Sequence, residues 1–218
     1  MKKKLGAFFV AFVLGGVIFA ENYTKGIDLH LLGSPIGRTK MTVDNYGVEY
    51  IQKSLEAGYQ FKLATYDCFL LNDMFGVYGA FGVNFGAYLT ASPAEEGGDE
   101  LDDIGLKSSF EFMIGPAFGV NLGRIRFQTG LAFHAVFGKA IGLGTDSDAI
   151  KTTALGIALT PQFRFGANKR CSFLLGCDIA FDFPKKLTYV YGSEKTVIKF
   201  DKGFRFGTTP YIGLGINF

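Results

Sequence analysis

Tryptophan is absent from the 218-residue sequence, and histidine and cysteine are scarce, which excludes several kinds of site. The three cysteines, Cys68, Cys171 and Cys177, form no CxxC pair, so neither a thioredoxin-like redox motif nor a cysteine zinc site is predicted. The two histidines, His30 and His134, lack metal-ligand spacing. We therefore predict no metal site and no cofactor. A disulfide between Cys68 and Cys171 stays open, because both lie near predicted turns.

A large excess of either charge is also missing. Lys and Arg number 22 and Asp and Glu number 20, which gives a formal net charge of +2. Residues 1–20 contain three of the lysines and no acid, so without them the formal net charge is −1. No Lys/Arg-rich face interleaved with aromatic residues occurs, and no nucleic-acid partner is predicted.

Only one long apolar run occurs, and it lies at the start of the sequence. Lys2–Lys4 precede an apolar stretch from Leu5 to Phe19, and Ala20 is followed by the polar residue Glu21. A membrane-spanning helix needs about 20 apolar residues, so a run of about 15 with a basic start is typical of a secretory signal. We predict a cleaved signal peptide over residues 1–20 and a mature domain over residues 21–218; an uncleaved anchor helix is the alternative.

After residue 22 the chain shows alternation with a period of two, which is the pattern of β-strands. Between 125 and 137, one face carries Ile125, Phe127, Thr129, Leu131, Phe133, Ala135 and Phe137, and the other carries Arg126, Gln128, Gly130, Ala132, His134 and Val136. Eight segments show this pattern with varying strength: 24–33, 49–64, 75–90, 107–122, 125–137, 153–165, 171–183 and 203–218. The sequence therefore predicts eight strands.

The breaks between these segments alternate in length. Those near 121–124 and 166–170 are short, whereas those at 34–48, 92–106, 140–150 and 184–201 are long and charged. The break at 65–74 is intermediate in length and fits this pattern least well. Short turns at one end and long loops at the other are typical of outer-membrane barrels, whose short turns lie in the periplasm. An even number of strands places both termini at the periplasmic end.

Strand glycines lie on the face opposite the phenylalanines. They are Gly58, Gly82, Gly86, Gly130, Gly156, Gly176, Gly207, Gly213 and Gly215. In a soluble sandwich, the packed apolar face mixes bulky and small side chains. Here bulky residues occupy one face, and glycine with charged residues occupies the other, which suits a lipid-facing exterior and a narrow interior. The predicted fold is all-β, an eight-stranded antiparallel transmembrane β-barrel; a secreted β-sandwich or lipocalin-like barrel is the alternative.

The chain end carries a family resemblance. Apolar residues alternate up to a terminal aromatic residue, Phe218, with Ile216 two places before it and Gly213 five places before it. This ending resembles the C-terminal assembly signal of bacterial outer-membrane proteins, although an aromatic residue is usual where Ile216 stands. The whole mature chain resembles the small-barrel group of the OmpA membrane domain, OmpX and OmpW, and its abundant Phe also resembles small barrels of spirochaetes. The resemblance implies an outer-membrane location and an outer-membrane assembly machinery as partner.

An enzyme is the alternative function in this fold. Lipid A deacylases use His and Ser in an HxS arrangement on the lipid-facing side. Here His134 is followed by Ala135 and Val136, and by parity both His30 and His134 face the lumen. A hydrolytic site needs a base, an orienting carboxylate and a nucleophile within hydrogen-bond reach of one another, and these positions do not bring such groups together. We therefore predict no catalytic residue and no enzyme.

Nine charged residues face the predicted lumen. They are Asp28, Glu56, Lys62, Glu111, Arg126, Arg164, Asp178, Asp182 and Arg205. Side chains fill a barrel of this size, and buried charges are tolerated only when they are paired. We expect a charge network that plugs the lumen, with Asp182 and Arg205 as one pair; an ion-selective passage is the alternative.

The loops carry opposite charges. Residues 95–103 hold a cluster of acidic residues, namely Glu95, Glu96, Asp99, Glu100, Asp102 and Asp103. They predict a solvated acidic loop, with a divalent-cation or basic-partner site as the alternative, although the spacing lacks the EF-hand pattern. The last loop is basic, so the two loops could meet across the mouth.

The predicted function is that of a non-enzymatic outer-membrane surface protein. Its partners would be the lipid bilayer, the assembly machinery and host or extracellular proteins that contact the outer loops. The alternative is an OmpW-like narrow channel for small hydrophobic or ionic solutes.

Overall fold

The structure, a computed structural model, describes residues 26–45, 48–71, 73–93, 99–142, 149–167, 169–191, 194–199 and 202–217. The predicted signal peptide (1–20) and Phe218 lie outside these ranges. Within them, no helix is long and apolar enough to cross a membrane.

Eleven β-strands occur in the described residues. They are β1 (Gly26–Gly33), β2 (Ile36–Asn45), β3 (Val48–Leu70), β4 (Phe75–Pro93), β5 (Asp99–Leu122), β6 (Ile125–Gly142), β7 (Ala149–Leu159), β8 (Gln162–Phe165), β9 (Cys171–Tyr191), β10 (Glu194–Lys199) and β11 (Lys202–Asn217).

These strands occupy eight positions in one closed ring. β1 and β2 share one position, as do β7 with β8 and β10 with β11, because each pair lines up along the same neighbouring strands. Neighbours along the chain pair antiparallel, and β1 pairs with β11, with Ile27 opposite Ile216, to close the ring. Closure leaves no sheet edge exposed to lipid. The predicted eight-stranded antiparallel barrel is confirmed.

Several strands run further than the alternation predicted. β2 occupies most of the segment 34–48 that was predicted as a loop. Only Ser34 and Pro35 leave the strand, since Pro has no N–H to donate, and pairing with β3 and β11 resumes at Ile36. β5 already begins at Asp99, and β9 continues to Tyr191. Beyond the bilayer, both faces of a hairpin meet water, so the apolar alternation fades while the backbone pairing continues.

The turns at the other end are short. Gly123 (φ 71°) and Gly166 (φ 77°) adopt the left-handed conformation that tight turns require. The predicted break at 65–74 is reduced to 71–74, because β3 and β4 stay paired up to Leu70 opposite Phe75. We call this end of the barrel the periplasmic end and the opposite end the extracellular mouth.

The two faces of the wall differ as predicted. The outer face is a belt of exposed apolar side chains, with Phe85 57% and Phe110 56% exposed. The inner face carries buried polar and aromatic residues, and three tyrosines, Tyr66, Tyr78 and Tyr211, lie inside. This inverted arrangement, apolar outside and polar inside, is that of a barrel in lipid.

Candidate functional site: the barrel lumen

Nearest the periplasmic end, Asp28 of β1 is the centre of a group that we call the lower layer. Its carboxylate is fully buried and forms an ion pair with Arg164 of β8. Gln162 and Gln128 donate to Asp28 Oδ2 at 2.7 and 3.2 Å. Arg164 also donates to Asn217 Oδ1 at 2.7 Å. A buried carboxylate is tolerated when its lone pairs are satisfied in this way.

Arg126 belongs to the predicted charge network but contacts no carboxylate in the described residues. Its guanidinium donates to Asn121 Oδ1 at 2.8 Å and to the backbone oxygen of Asp73 at 2.6 Å. It therefore links the start of β6 to the turn at 71–74, and its role is to fasten the periplasmic end.

Above the lower layer, Tyr66, Tyr78 and Tyr211 form what we call the tyrosine layer. The rings of Tyr66 and Tyr78 lie 4.6 Å apart, and the Tyr66 hydroxyl donates to the Thr160 backbone oxygen at 2.8 Å. The Tyr211 hydroxyl donates to Gln162 Oε1 at 2.9 Å, and this bond connects the tyrosine layer to the lower layer. All three rings are buried.

Glycines on nearby strands make room for these rings: Gly176 lies opposite Tyr211 in register, and Gly130 of β6 lies two strand positions from Tyr78 of β4. A Cβ on Gly130 would lie 2.6 Å from Cγ of Tyr78, and one on Gly176 would lie 2.4 Å from the Tyr211 hydroxyl oxygen. The inward glycines predicted from parity thus match the bulky side chains near them, so that the cross-section is filled.

One ion pair crosses the lumen next to the tyrosine layer. Lys62 of β3 pairs with Asp178 of β9, and both side chains are almost completely buried. The Lys62 ammonium also lies 5.1 Å from the centroid of the Tyr211 ring, within the range of a cation–π contact. His30 stacks on the same tyrosine, because the centroid of its ring lies 3.7 Å from that of the Tyr211 ring.

Towards the extracellular mouth, ionic contacts form a continuous chain that we call the upper network. Gln60 donates to Glu111 at 2.8 Å, and Glu111 lies 3.6 Å from His134 Nε2. His134 Nδ1 lies 2.7 Å from Asp182. Arg205 then joins Asp182 (2.8 Å) to Glu56 (3.1 Å), and Lys107 lies 2.5 Å from Glu56.

The structure thus brings eight of the nine predicted charges into ion pairs and places the ninth, Arg126, on neutral oxygens. The predicted neighbours Asp182 and Arg205 lie opposite each other in register. Sequence reasoning missed Lys107, which shares the parity of Glu111 and could have been found from it. It also missed that the three tyrosines fill the cross-section of the lumen. Alternation indicates that a ring points inward, but not whether the ring reaches across the lumen or stays along the wall.

The two histidines do not form a hydrolytic site. Both ring nitrogens of His134 face carboxylates, Asp182 at 2.7 Å and Glu111 at 3.6 Å, so neither is directed at a hydroxyl or thiol. His30 is buried against Tyr211, and among the described residues no side chain meets hydrogen-bond geometry at either of its ring nitrogens. Among the described residues, no group of three or more His, Cys, Asp or Glu side chains is arranged to hold a metal ion.

The cysteines are not bridged. Cys68 is buried inside the barrel, Cys171 is exposed, and all three cysteines are free. The disulfide considered between Cys68 and Cys171 is therefore absent, because β3 and β9 are not neighbours in the ring and the two side chains lie on different faces.

The other predicted sites are only partly described. Gly213 and Ile216 lie in β11, opposite His30 and Ile27, while Phe218 lies outside the described residues.

Of the acidic cluster, Glu95 and Glu96 lie outside the described residues as well. Asp99, Glu100, Asp102 and Asp103 belong to β5, so the expectation that they form part of a loop is wrong; the β4–β5 hairpin continues to pair beyond the membrane.

Comparison with known proteins agrees with this architecture. No protein-family model and no curated protein matches the sequence. Among solved structures, outer membrane protein OprG from Pseudomonas aeruginosa is 12% identical with a TM-score of 0.53, covering 91% of this chain and 98% of that chain. Outer membrane protease OmpT from Escherichia coli is 9% identical with a TM-score of 0.51, covering 92% and 99%.

At 9% and 12% sequence identity, the similarity to these two structures concerns only the fold. Both similar structures are those of outer-membrane proteins, and one of them is a protease, so fold alone does not decide between catalytic and non-catalytic roles. The fold of the predicted small-barrel group is confirmed, and this fold agrees with the predicted outer-membrane location. The chain has the eight-stranded fold of the bacterial outer-membrane β-barrels.

Proposed function

We propose that the protein is a non-enzymatic surface protein whose barrel is a closed anchor and whose extracellular hairpins make the functional contacts. The observation that carries this proposal is the obstruction of the lumen at successive levels. The lower layer, the Lys62–Asp178 pair with the tyrosine layer, and the upper network each connect strands on different sides of the ring.

Electrostatic considerations support the closed state. In the part of the chain that the structure describes, five acidic and five basic residues lie inside when Lys107 is counted with the nine predicted charges, and most are bonded to a charge of opposite sign. Opening a path would separate buried partners, and breaking one such pair costs about 3–5 kcal/mol. The contacts of one permeating ion with these side chains do not compensate for the free energy lost when several ion pairs break.

The hairpins support a role at the surface. β3 extends over 23 residues and β5 over 24, whereas a transmembrane strand needs about 9–11 residues. The additional length projects beyond the extracellular mouth, where a rigid paired backbone can present side chains to a partner.

Conductance measurements test the closed anchor. We expect the purified wild-type protein in planar bilayers to show no stable channels in 1 M KCl, and proteoliposomes to exclude small sugars. Stable wild-type channels, or uptake of an apolar solute, would support the OmpW-like channel instead.

A second experiment tests the contact function. Segments 94–98 and 143–148 are replaced by Asn-Gly turns, which leave the paired strands in place. Cells that display the wild-type protein should adhere to immobilised basement-membrane matrix, and cells that display this variant at equal levels should not. Equal adhesion of cells with and without the protein would leave the barrel with a purely structural role and refute the contact function.

A further inference from the structure

Two lysines face each other on the outer surface of the barrel. Lys139 of β6 lies directly opposite Lys151 of β7, and both are exposed. Like charges directly opposite each other on one face of a sheet are destabilising. In the part of the chain that the structure describes, neither lysine has an acidic partner within ion-pair distance. An anion from outside the chain would remove this repulsion.

The lysines border an open groove of about 250 Å³. Two exposed rings, Phe110 and Phe137, line its apolar part, and they lie opposite each other in register. Ser108 pairs with Lys139 and adds a hydroxyl at the same level as the ammonium groups. The groove is thus amphipathic, with an apolar part and a cationic rim.

The level of the lysines in the bilayer matches a lipid headgroup. Lys139 lies fourteen residues along β6 from its start at Ile125, which corresponds to about 35 Å along the barrel axis at a rise of about 3.3 Å per residue and a tilt of about 40°. The apolar band of such barrels is about 25 Å tall. The two rings lie two residues closer to the membrane centre, about 5 Å along the barrel axis, at the border between the headgroups and the apolar band.

We propose that this groove binds one anionic, phosphorylated lipid of the outer leaflet. The phosphate lies between the ammonium groups of Lys139 and Lys151 and accepts a hydrogen bond from Ser108, while an acyl chain packs along Phe110 and Phe137. A lipid fits better than a free phosphate, because the apolar part of the groove continues into the lipid-facing belt.

Native mass spectrometry of the refolded protein in detergent micelles tests the proposal, with dioleoyl phosphatidic acid and dioleoyl phosphatidylcholine as probes. Each lysine near an anionic headgroup contributes about fivefold in affinity. We expect one phosphatidic acid to bind at least about tenfold more tightly than phosphatidylcholine. The double variant Lys139→Ser, Lys151→Ser should bind both lipids equally.

The matched control removes the same charge at the periplasmic end. The variant Lys169→Ser, Arg170→Ser changes two exposed residues of the turn after β8 and should retain the preference. Phe137→Ala should weaken binding of the long-chain lipid and leave that of inorganic phosphate unchanged. Equal loss in both double variants would show unspecific attraction and overturn the proposal, as would unchanged binding in the Lys139/Lys151 variant or equally tight binding of inorganic phosphate alone.

Discussion

Asp182 accepts a hydrogen bond from Arg205 at 2.8 Å while its other carboxylate oxygen lies 2.7 Å from His134 Nδ1. One carboxylate of β9 thus joins β11 to β6 through the interior of the barrel. Through Arg205 the connection continues to Glu56 of β3. The upper network therefore ties together strands that do not pair through their backbones.

Replacing Arg205 with alanine should destabilise the barrel. Asp182 would keep His134 and Glu56 would keep Lys107, so we expect a loss of about 2–4 kcal/mol, somewhat below that of a fully isolated buried charge. Urea unfolding in detergent, followed by the heat-modifiable gel shift, measures this loss. Arg38→Ala, on the exposed face of β2, is the control, and an equal effect of both variants would argue against the network.

Gly130→Ala should destabilise the barrel because its Cβ would lie 2.6 Å from Cγ of Tyr78. Displacing a packed ring costs about 1–3 kcal/mol. In the background Tyr78→Ala the same substitution should cost less than half as much, since the ring is gone. Additive effects in this double-mutant cycle would show that the two residues do not interact.

The tyrosine layer rather than the upper network should limit conductance. Tyr66→Ala combined with Tyr78→Ala removes two adjacent rings and should admit water and small ions, giving brief channel events in planar bilayers. Arg205→Ala should stay silent, because the tyrosine layer lies below it. Channels in the Arg205 variant and none in the tyrosine variant would reverse this assignment.

The mature protein should begin at or within a few residues of Glu21. The basic start, the apolar run and Ala20 motivate this prediction. N-terminal sequencing of protein isolated from the outer membrane decides it, and recovery of Lys2–Phe19 in that protein would refute the signal peptide.

Deleting Phe218 should lower the amount of barrel assembled in cells more than its final stability. The terminal aromatic residue resembles the signal read during insertion, and the rest of β11 still pairs with β1 and β9. The variant should therefore refold in detergent with nearly the wild-type midpoint in urea. Normal outer-membrane levels of the deletion variant would contradict the resemblance.

The sequence alone determined the number of strand positions in the ring, the face of each predicted strand and the inward glycines. Each of these follows from a local rule, because successive side chains of a strand point to opposite sides. Phe127 and Arg126 are consecutive residues of one strand, so their side chains lie on opposite sides of the barrel wall regardless of the other strands. The same rule identified the nine lumen charges but missed Lys107, which lies at the start of its predicted segment.

Apart from the predicted pair Asp182 and Arg205, only the tertiary structure decided which residues meet inside the lumen. Some partners inside the lumen, such as Asp28 and Arg164, are more than a hundred residues apart and come from strands that do not pair, so only closure of the ring and its stagger bring them together. The opposition of Lys139 and Lys151 likewise depends on register, since a shift of one residue would place one of them inside. The side of the wall that a residue faces is determined within each strand. Register and stagger are determined only when all eight strand positions close into one ring.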